Sequence, residues 1–297
     1  MRSRYHPGTA TPRDRNISRF RNAWLALLLL AAPPVLAEEP SPRWEFGLGL
    51  GVVTTPDYRG SDERRGYLLP LPYLIYRGDV LRVDRRGVRG ELIEAVHFSF
   101  HLSANLGPPA DSDENEARAG MPDLHPTVEF GPALELRLHE SKSGTRRLAL
   151  RMPLRAAVAV DFADSEAEYV GAVFLPHLEL SLRRLGGSGW NLGLSAGPIF
   201  ATNDYHDHYY SVRPEFERPG RPAYDAPGGY SGMSFGLTLT RRYSRYWVGA
   251  FLRYDNLSGA AFEDSPLMRT RHAILAGVGV SRIIAESVRP AAVEAED

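Results

Sequence analysis

The chain has 297 residues, no cysteine, and 35 Lys+Arg against 36 Asp+Glu, which gives a formal charge of -1. Without cysteine it forms no disulfide, thiolate metal site, cysteine nucleophile or lipid-modified N-terminal cysteine. The mean hydropathy of -0.29 argues against a polytopic helical membrane protein. The near-neutral charge gives no support for a nucleic-acid partner.

The first 37 residues have the composition of a secretory signal peptide. Six arginines and one aspartate lie within residues 1–21, before an apolar segment from Ala23 to Ala32, two prolines and a small residue at Ala37. A basic segment, a short apolar segment and a small residue define such peptides. Ten apolar residues fall well short of the roughly 20 that span a bilayer. We predict cleavage after Ala37, which removes six basic residues and one acidic residue and leaves a charge of -6.

The rest of the chain alternates between apolar and polar residues. From Val96 to Leu106 every second residue is apolar, and the residues between them are polar. The same period of two returns in the segments 124–138, 148–160 and 174–183. Such alternation places one face of each strand in an apolar medium and the other in a polar one. Both a soluble β-sandwich and a transmembrane β-barrel use it.

Segment length separates these two architectures. Strands of soluble proteins have about 5–6 residues, whereas tilted membrane strands need roughly 9–11. Most alternating segments here are of the longer kind, and aromatic residues lie near their ends, as in the girdles of membrane barrels. These aromatic residues are Trp44, Tyr76, Tyr169, Trp190, Tyr246 and Trp247. The pattern predicts an all-β protein, a transmembrane antiparallel up-and-down β-barrel.

We predict about 12 strands, or 10 if the weakest segments between 79 and 95 are fused. The predicted strands are 44–54, 67–77, 79–85, 88–93, 95–106, 124–139, 146–162, 169–184, 189–202, 230–242, 245–257 and 272–284. Long connections alternate with short turns, as the outer loops and periplasmic turns of bacterial outer-membrane barrels do. The predicted parts are a signal peptide at 1–37, an outer-membrane barrel at 38–284 and a periplasmic tail at 285–297.

Three segments of the chain carry a resemblance to a known family. They are residues 55–62 with 69–73, residues 221–232 preceded by Tyr205, His206 and Tyr210, and residues 247–267. The family-motif residues in them are Tyr58, Gly60, Ser61, Asp62, Arg221, Pro222, Tyr224, Asn256, Leu257, Ser258, Gly259, Ser265 and Pro266. The sequence resembles the family of the MltA-interacting protein and OmpV, outer-membrane β-barrels of Gram-negative bacteria, from about Trp44 to Ile284.

The resemblance implies a non-catalytic envelope scaffold without a cofactor. Its partners would be a lytic transglycosylase and a peptidoglycan synthase, and outer-membrane lipid and lipopolysaccharide would surround it. Other members look like permeability, osmotic-response or adhesion proteins. A narrow channel for small solutes and a surface adhesin acting through the outer loops are therefore the alternatives. The sequence departs from the usual aromatic end of such barrels, since the last predicted strand ends on Ile283-Ile284.

Strand parity predicts a barrel lumen lined by charged and histidine side chains. The predicted lumen-facing residues are His97, His101, Glu129, Glu135, Arg137, Arg151, Arg155, Asp161, His177, Glu179, Arg183, Arg253 and Asp255. Such charges either cross-link the walls of a small barrel or line a narrow pore. We favour the packed, salt-bridged interior because small barrels leave little free lumen. No catalytic constellation is recognisable among these residues, and no enzymatic activity is predicted.

Two outer loops carry further candidates. The segment from Asp204 to His208 contains two histidines and two carboxylates, but a metal site would need a convergent loop and a further ligand. We therefore predict an aromatic, polar loop and no metal. The acidic segment 107–123 predicts a solvated and mobile loop, with a divalent-cation or lipopolysaccharide bridge as the alternative.

Overall fold

The computed structural model describes residues 42–77, 81–84, 87–90, 94–95, 98–162 and 164–287. The predicted signal peptide, its cleavage site after Ala37, His97 and the end of the predicted tail lie outside the described residues. Within them the chain forms fourteen strands and one α-helix. The strands are β1 (Trp44–Pro56), β2 (Arg64–Arg77), β3 (Leu81–Asp84), β4 (Gly87–Gly90), β5 (Glu94–Ala95), β6 (Phe98–Gly107), β7 (Thr127–Glu140), β8 (Arg146–Asp161), β9 (Glu166–Phe174), β10 (His177–Leu182), β11 (Trp190–Ala201), β12 (Gly229–Arg242), β13 (Tyr246–Asn256) and β14 (His272–Glu286). Helix α1 (Asn203–Tyr210) lies between β11 and β12.

The strands form one antiparallel sheet that curves into a barrel. Its order is β4-β3-β2-β1-β14-β13-β12-β11-β10-β8-β7-β6-β5, and β9 pairs with β8 and β11. The first long strand, β1, therefore pairs with the last, β14. Strand β4 lies beside β6, which brings the two ends of the sheet together. The predicted fold class is confirmed.

One of the predicted strands is interrupted. Residues 169–184 were expected as one strand, but Leu175 and Pro176 separate β9 from β10. The neighbouring strand β8 pairs with β10 below this break and with β9 above it, and it carries Pro153 at the same level. Proline has no N–H to donate, so it occurs where a ladder hydrogen bond is missing. With β9 and β10 counted as one, ten strands in the described chain have at least nine residues, whereas β3, β4 and β5 have only two to four.

The outer surface of the barrel is apolar. On β1 the outward side chains Leu48, Leu50 and Val52 are more than half exposed, while the inward Gly47 and Gly51 are buried. A continuous exposed belt of this kind is unfavourable in water and favourable in lipid. The outward face is therefore the lipid-facing one.

One aromatic residue does not lie in the predicted girdle. Tyr246 is exposed on the outer surface, so strand parity turns Trp247 inward. The Trp247 ring packs near Tyr73, with ring centroids 6.0 Å apart, beside the buried Ile75 and Ile283. The prediction that Trp247 lies in the girdle is wrong, because Tyr246 occupies the outward position at this level of the strand.

None of the helices in the described residues is both long enough and apolar enough to cross a membrane.

Candidate functional site

Four outer loops fold together into a compact body, which we call the cap (residues 57–63, 108–126, 202–228 and 257–271). Its buried core takes Tyr58 from the first loop, Leu124 from the second, Tyr210 from the third and Phe262 from the fourth. The rings of Tyr210 and Phe262 stack with their centroids 3.6 Å apart. Burial of large side chains from all four loops fixes the loops to one another, so the cap covers the outer end of the barrel.

Parts of all three segments that carry the family resemblance meet in this cap. The Tyr58 hydroxyl donates to the carbonyl of Leu267 (2.7 Å) and the Ser265 hydroxyl to that of Tyr210 (2.6 Å). Gly60 has a φ of +106°, and a Cβ there would lie 2.3 Å from the Met268 sulfur. Only glycine fits this close approach in a left-handed conformation.

Other motif residues also form cap contacts, while some are exposed. The Arg221 side chain donates to the carbonyls of Ala117, Ala119 and Phe216. Leu257 is fully buried, and Tyr224 forms a β-bridge with Val212. The exposed motif residues are Asp62, Pro222, Ser258 and Gly259.

The acidic loop 107–123 belongs to the cap core. Ser112, Asn115 and Arg118 are buried, and the Asn115 amide donates to Asp57 (2.9 Å) and Ser61 (3.1 Å). The prediction of a solvated loop is wrong. The loop points its acidic side chains outward and its small and amide side chains inward, and composition alone does not distinguish the two sets.

Helix α1 enters the mouth of the barrel. Tyr205 packs among Val173, Ile199 and other buried residues of the inner wall, and its hydroxyl donates to Glu129 on β7 (3.1 Å). Gly171 gives the helix room, because a Cβ at that position would lie 2.4 Å from the Tyr205 nitrogen. The helix therefore narrows the outer end of the lumen beneath the cap.

Predicted lumen residues form two charge clusters. In the lower charge cluster, defined by His101, Glu135, Arg147, Arg151 and Glu179, Glu135 pairs with both Arg147 and Arg151. Arg151 also pairs with Glu179 (3.0 Å) and contacts the His101 ring nitrogen (2.7 Å). His101 and Glu135 are buried, so these contacts cross-link β6, β7, β8 and β10 inside the barrel.

The upper charge cluster comprises Arg59, Glu129, Arg155, Arg253 and Asp255. Arg155 pairs with Glu129 (3.4 Å), and Asp255 pairs with both Arg253 (2.9 Å) and Arg59 (2.8 Å). Because Arg59 comes from the cap and Asp255 from β13, this cluster ties the cap to the barrel wall. Buried charges are stable only when paired in this way.

The remaining predicted lumen residues lie outside the two charge clusters. Arg137 pairs with Glu140 near the short turns (3.3 Å), and Asp161 pairs with His125 at the outer end (3.7 Å). The His177 ring contacts the Leu175 carbonyl (2.8 Å). Arg183 is exposed in the turn after β10, beyond the lumen. Four predicted lumen residues therefore belong to neither charge cluster: Arg137, Asp161, His177 and Arg183.

Strand parity identifies two lumen residues that the prediction omitted. Arg147 shares the parity of Arg151 and Arg155, and Glu45 shares that of Gly47 and Gly51. Glu45 is buried at the end opposite the cap, where it accepts hydrogen bonds from Tyr73 (3.0 Å) and Arg242 (3.0 Å). No alternation in the sequence indicates that Arg59 belongs to the upper charge cluster or that α1 enters the barrel mouth.

Neither histidine of α1 belongs to a group of three metal-ligating side chains in the described part of the chain. Within the described residues no three metal-ligating side chains converge. His206 is buried, and its Nδ1 contacts the carbonyl of Pro227 (2.6 Å). Burial lowers the pKa of His206, and burial together with Arg118 lowers the pKa of His208 to about 4. Burial raises the pKa of Tyr209 to about 12.

These histidines make the cap sensitive to acid. The pKa of His208 is lower in the folded cap than the ordinary value near 6.5. Protons therefore bind preferentially to the protein in which the cap is unfolded. The cap therefore loses stability as the pH falls below about 6.5, by about 2 kcal/mol at pH 5. Amide hydrogen exchange of residues 203–228 at pH 7 and pH 5 measures this loss. We expect His208→Gln to reduce the difference between the two pH values; equal pH dependence in variant and wild type would contradict it.

A comparison with protein-family models identifies the family to which the chain belongs. The model described as MltA-interacting protein MipA matches residues 48–284, from β1 to β14. The chain belongs to the MipA family. The predicted family resemblance is confirmed, and the match includes the cap and both charge clusters. Family membership and the lipid-facing belt together assign this MipA-family barrel to the outer membrane.

The other comparisons concern architecture. No curated protein matches the sequence significantly. Among solved structures, an outer-membrane channel from Pseudomonas putida F1 is similar with 13% identity and a TM-score of 0.43, covering 86% of this chain and 100% of that one. The NanC porin has 9% identity and a TM-score of 0.35, covering 80% and 100%. The protease OmpT from Escherichia coli has 9% identity and a TM-score of 0.28, covering 83% and 97%. Likenesses at this level carry no conclusion about function.

Proposed function

We propose that this MipA-family protein is a non-catalytic scaffold of the outer membrane, which brings a lytic transglycosylase and a peptidoglycan synthase together. The family description names an interaction with the transglycosylase MltA. The observation that carries the proposal is the barrel interior, which is cross-linked by two buried charge clusters and covered by the cap. Such an interior suits a fixed membrane platform better than an open pore.

The platform would offer its partners a basic surface. The short-turn end of the barrel carries exposed Lys142, Arg146, Arg183, Arg184 and Arg245. In bacterial outer-membrane barrels this end faces the periplasm, where peptidoglycan enzymes act. Charged rim residues steer association with an oppositely charged partner, so we propose an acidic face on at least one of the two enzymes.

Two further parts of the proposal concern export and the outer leaflet. We propose that residues 1–37 are a cleaved signal peptide that delivers the chain to the outer membrane. On the outer side, the cap exposes Asp111, Asp113 and Glu116. Such carboxylates suit bridges through divalent cations to the phosphates of lipopolysaccharide.

Affinity purification from envelope extracts tests the scaffold. We expect wild type to retain lytic transglycosylase and peptidoglycan synthase activities, and retention to fall as salt is added. The triple variant Lys142→Glu, Arg146→Glu and Arg245→Glu should lose most of this retention at low salt, because it reverses charge on the rim. Heat-modifiable migration on a denaturing gel checks that the barrel is intact.

The matched control reverses three charges on the cap, at Arg213, Arg269 and Arg271, all of which are exposed. This control should retain both activities. Equal retention by the two triple variants would argue against the basic rim as the docking surface. Failure of wild type to retain either enzyme, with a folded barrel, would overturn the scaffold itself.

A further inference from the structure

The upper charge cluster contains more positive than negative charge. It holds Arg59, Arg155 and Arg253 against the two carboxylates of Glu129 and Asp255. Asp255 is shared, because one of its oxygens pairs with Arg59 (2.8 Å) and the other with Arg253 (2.9 Å). The cluster therefore keeps an excess positive charge inside the barrel, where salt screens charges less than it does at the surface.

Arg59 uses all its nitrogens within the protein. Its Nε donates to Asp255, and its two terminal nitrogens donate to the hydroxyl and the carbonyl of Ser231 (2.9 and 2.5 Å). The donors that are left to bind a ligand therefore belong to the other two arginines of the cluster.

Arg155 and Arg253 have such donors. Arg253 donates to Asp255 through Nε, and its two terminal nitrogens have no acceptor among the described residues. Arg155 is only 8% exposed, yet its Nε has no hydrogen-bond acceptor in the described chain, and its pair with Glu129 spans 3.4 Å. A buried guanidinium group without an acceptor is unfavourable. A bound anion would supply the acceptors that both side chains lack.

These two arginines approach each other from different strands. Arg155 lies on β8 and Arg253 on β13, and their guanidinium groups lie close enough to repel each other. Glu129 attracts both of them, but its Oε1 also accepts the Tyr205 hydroxyl (3.1 Å). One carboxylate therefore balances two guanidinium groups. A further anion near both arginines would offset their repulsion.

Small residues leave room beside Arg253. On β12 it pairs in register with Gly236, which pairs in turn with Ser195 on β11. A Cβ at Gly236 would overlap the Ser195 hydroxyl, so this hydroxyl lies over the glycine. The Phe251 ring lies on the other side, over β14, where a Cβ at Gly277 would be 2.5 Å from it. The inward Arg253 side chain is accordingly 29% exposed.

The wall on the side of the short turns is polar and has small side chains. Thr238 is the next inward residue of β12 in that direction, and it is exposed. Its hydroxyl lies over Gly193 of β11, where a Cβ would be 2.5 Å away. Hydroxyl groups both hold water and donate to anions. A water-soluble ligand therefore meets a hydrated wall on this side, whereas α1 and the cap cover the other end.

We propose that the lumen binds a small, water-soluble oxyanion between Arg155 and Arg253, with the Ser195 hydroxyl as a further donor. Guanidinium groups form paired hydrogen bonds to the oxygens of phosphate and carboxylate groups, which favours an oxyanion over a halide. The ligand enters from the periplasmic end, along the small side chains of β11 and β12. The inference is independent of the proposed scaffold role, because the site lies inside the barrel and the docking surface lies on its rim.

Inorganic phosphate is the probe that tests the site. In neutral detergent, at an ionic strength held constant with sodium chloride, the phosphorus NMR line of phosphate should show saturable broadening by the full barrel. We expect Arg253→Gln to weaken binding roughly tenfold by removing a charged donor, and Ser195→Ala to weaken it about threefold by removing a neutral one. The matched control is Arg213→Gln on the cap, an exposed position, which should bind as wild type does.

Each variant is first checked for heat-modifiable migration. If Arg253→Gln fails to fold, Ser195→Ala decides the outcome, because it leaves every ion pair of the cluster in place. Lack of saturable broadening by a folded wild-type barrel would overturn the site. Equal affinities of wild type and the folded lumen variants would overturn it as well.

Charged thiol reagents test the position of the excess charge, since the chain has no cysteine of its own. The variant Thr238→Cys supplies a single thiol beside the site. We expect this thiol to react faster with an anionic methanethiosulfonate than with a cationic one, and phosphate to slow the anionic reagent. Adding Arg253→Gln should reduce the preference several-fold. A preference that stays the same after this substitution would contradict the assignment of the site to Arg253.

Discussion

Replacing Glu135 by alanine is expected to lower the free energy of unfolding by about 3–5 kcal/mol. Glu135 is 2% exposed and is the shared carboxylate of Arg147 and Arg151. Its removal leaves two arginines in the lower charge cluster with one carboxylate, Glu179, between them. Removing one partner of a buried charge cluster costs more than the cluster itself contributes, because the remaining charge stays desolvated.

The measurement is urea unfolding in lipid vesicles, followed by the loss of heat-modifiable migration. Arg137→Ala is the matched control, because its pair with Glu140 has side-chain exposures of 33% and 31%. Exposed pairs contribute about 1 kcal/mol or less. Glu135→Gln should fall between the two variants, since the amide keeps the shape but loses the charge. Equal destabilisation by Glu135→Ala and Arg137→Ala would show a hydrated lumen in which the cluster is screened.

Strand parity accounts for most of what the sequence predicted. The alternation from Val96 to Leu106 follows from a wall with lipid on one side and polar side chains on the other, so β6 and the inward His101 were foreseeable. The same argument reaches Arg147 and Glu45, which share the parity of their neighbours. The interior of the barrel was therefore predictable residue by residue wherever the strands are long.

The cap could not be predicted in the same way. Its buried residues, such as Tyr58, Tyr210 and Phe262, come from four loops and follow no period within any of them. Helix α1 has eight residues and a polar composition, NDYHDHYY, which gives no amphipathic pattern of its own. It folds as a helix because the barrel mouth and the cap supply its apolar contacts.

The cap core is the second place where one side chain has a large expected effect. Phe262 is fully buried, stacks on Tyr210 and packs edge-on against His206 with ring centroids 4.6 Å apart. Phe262→Ala should destabilise the cap by about 3–5 kcal/mol, because it leaves a cavity among rings that join two loops. Since Tyr210 ends the helix that narrows the mouth, loss of this contact releases α1 from the lumen.

Planar-bilayer recordings measure the consequence. Wild type should show little conductance, because the cap and α1 cover the outer end and the charge clusters fill the lumen, whereas Phe262→Ala should show discrete openings. The matched control is Phe162→Ala, in which the same change is made at a ring that is 77% exposed, and it should behave as wild type. If hydrogen exchange shows that Phe262→Ala loosens the cap while the conductance stays low, the charge clusters close the barrel without help from the cap. Large openings in wild type would instead favour the narrow channel over the scaffold.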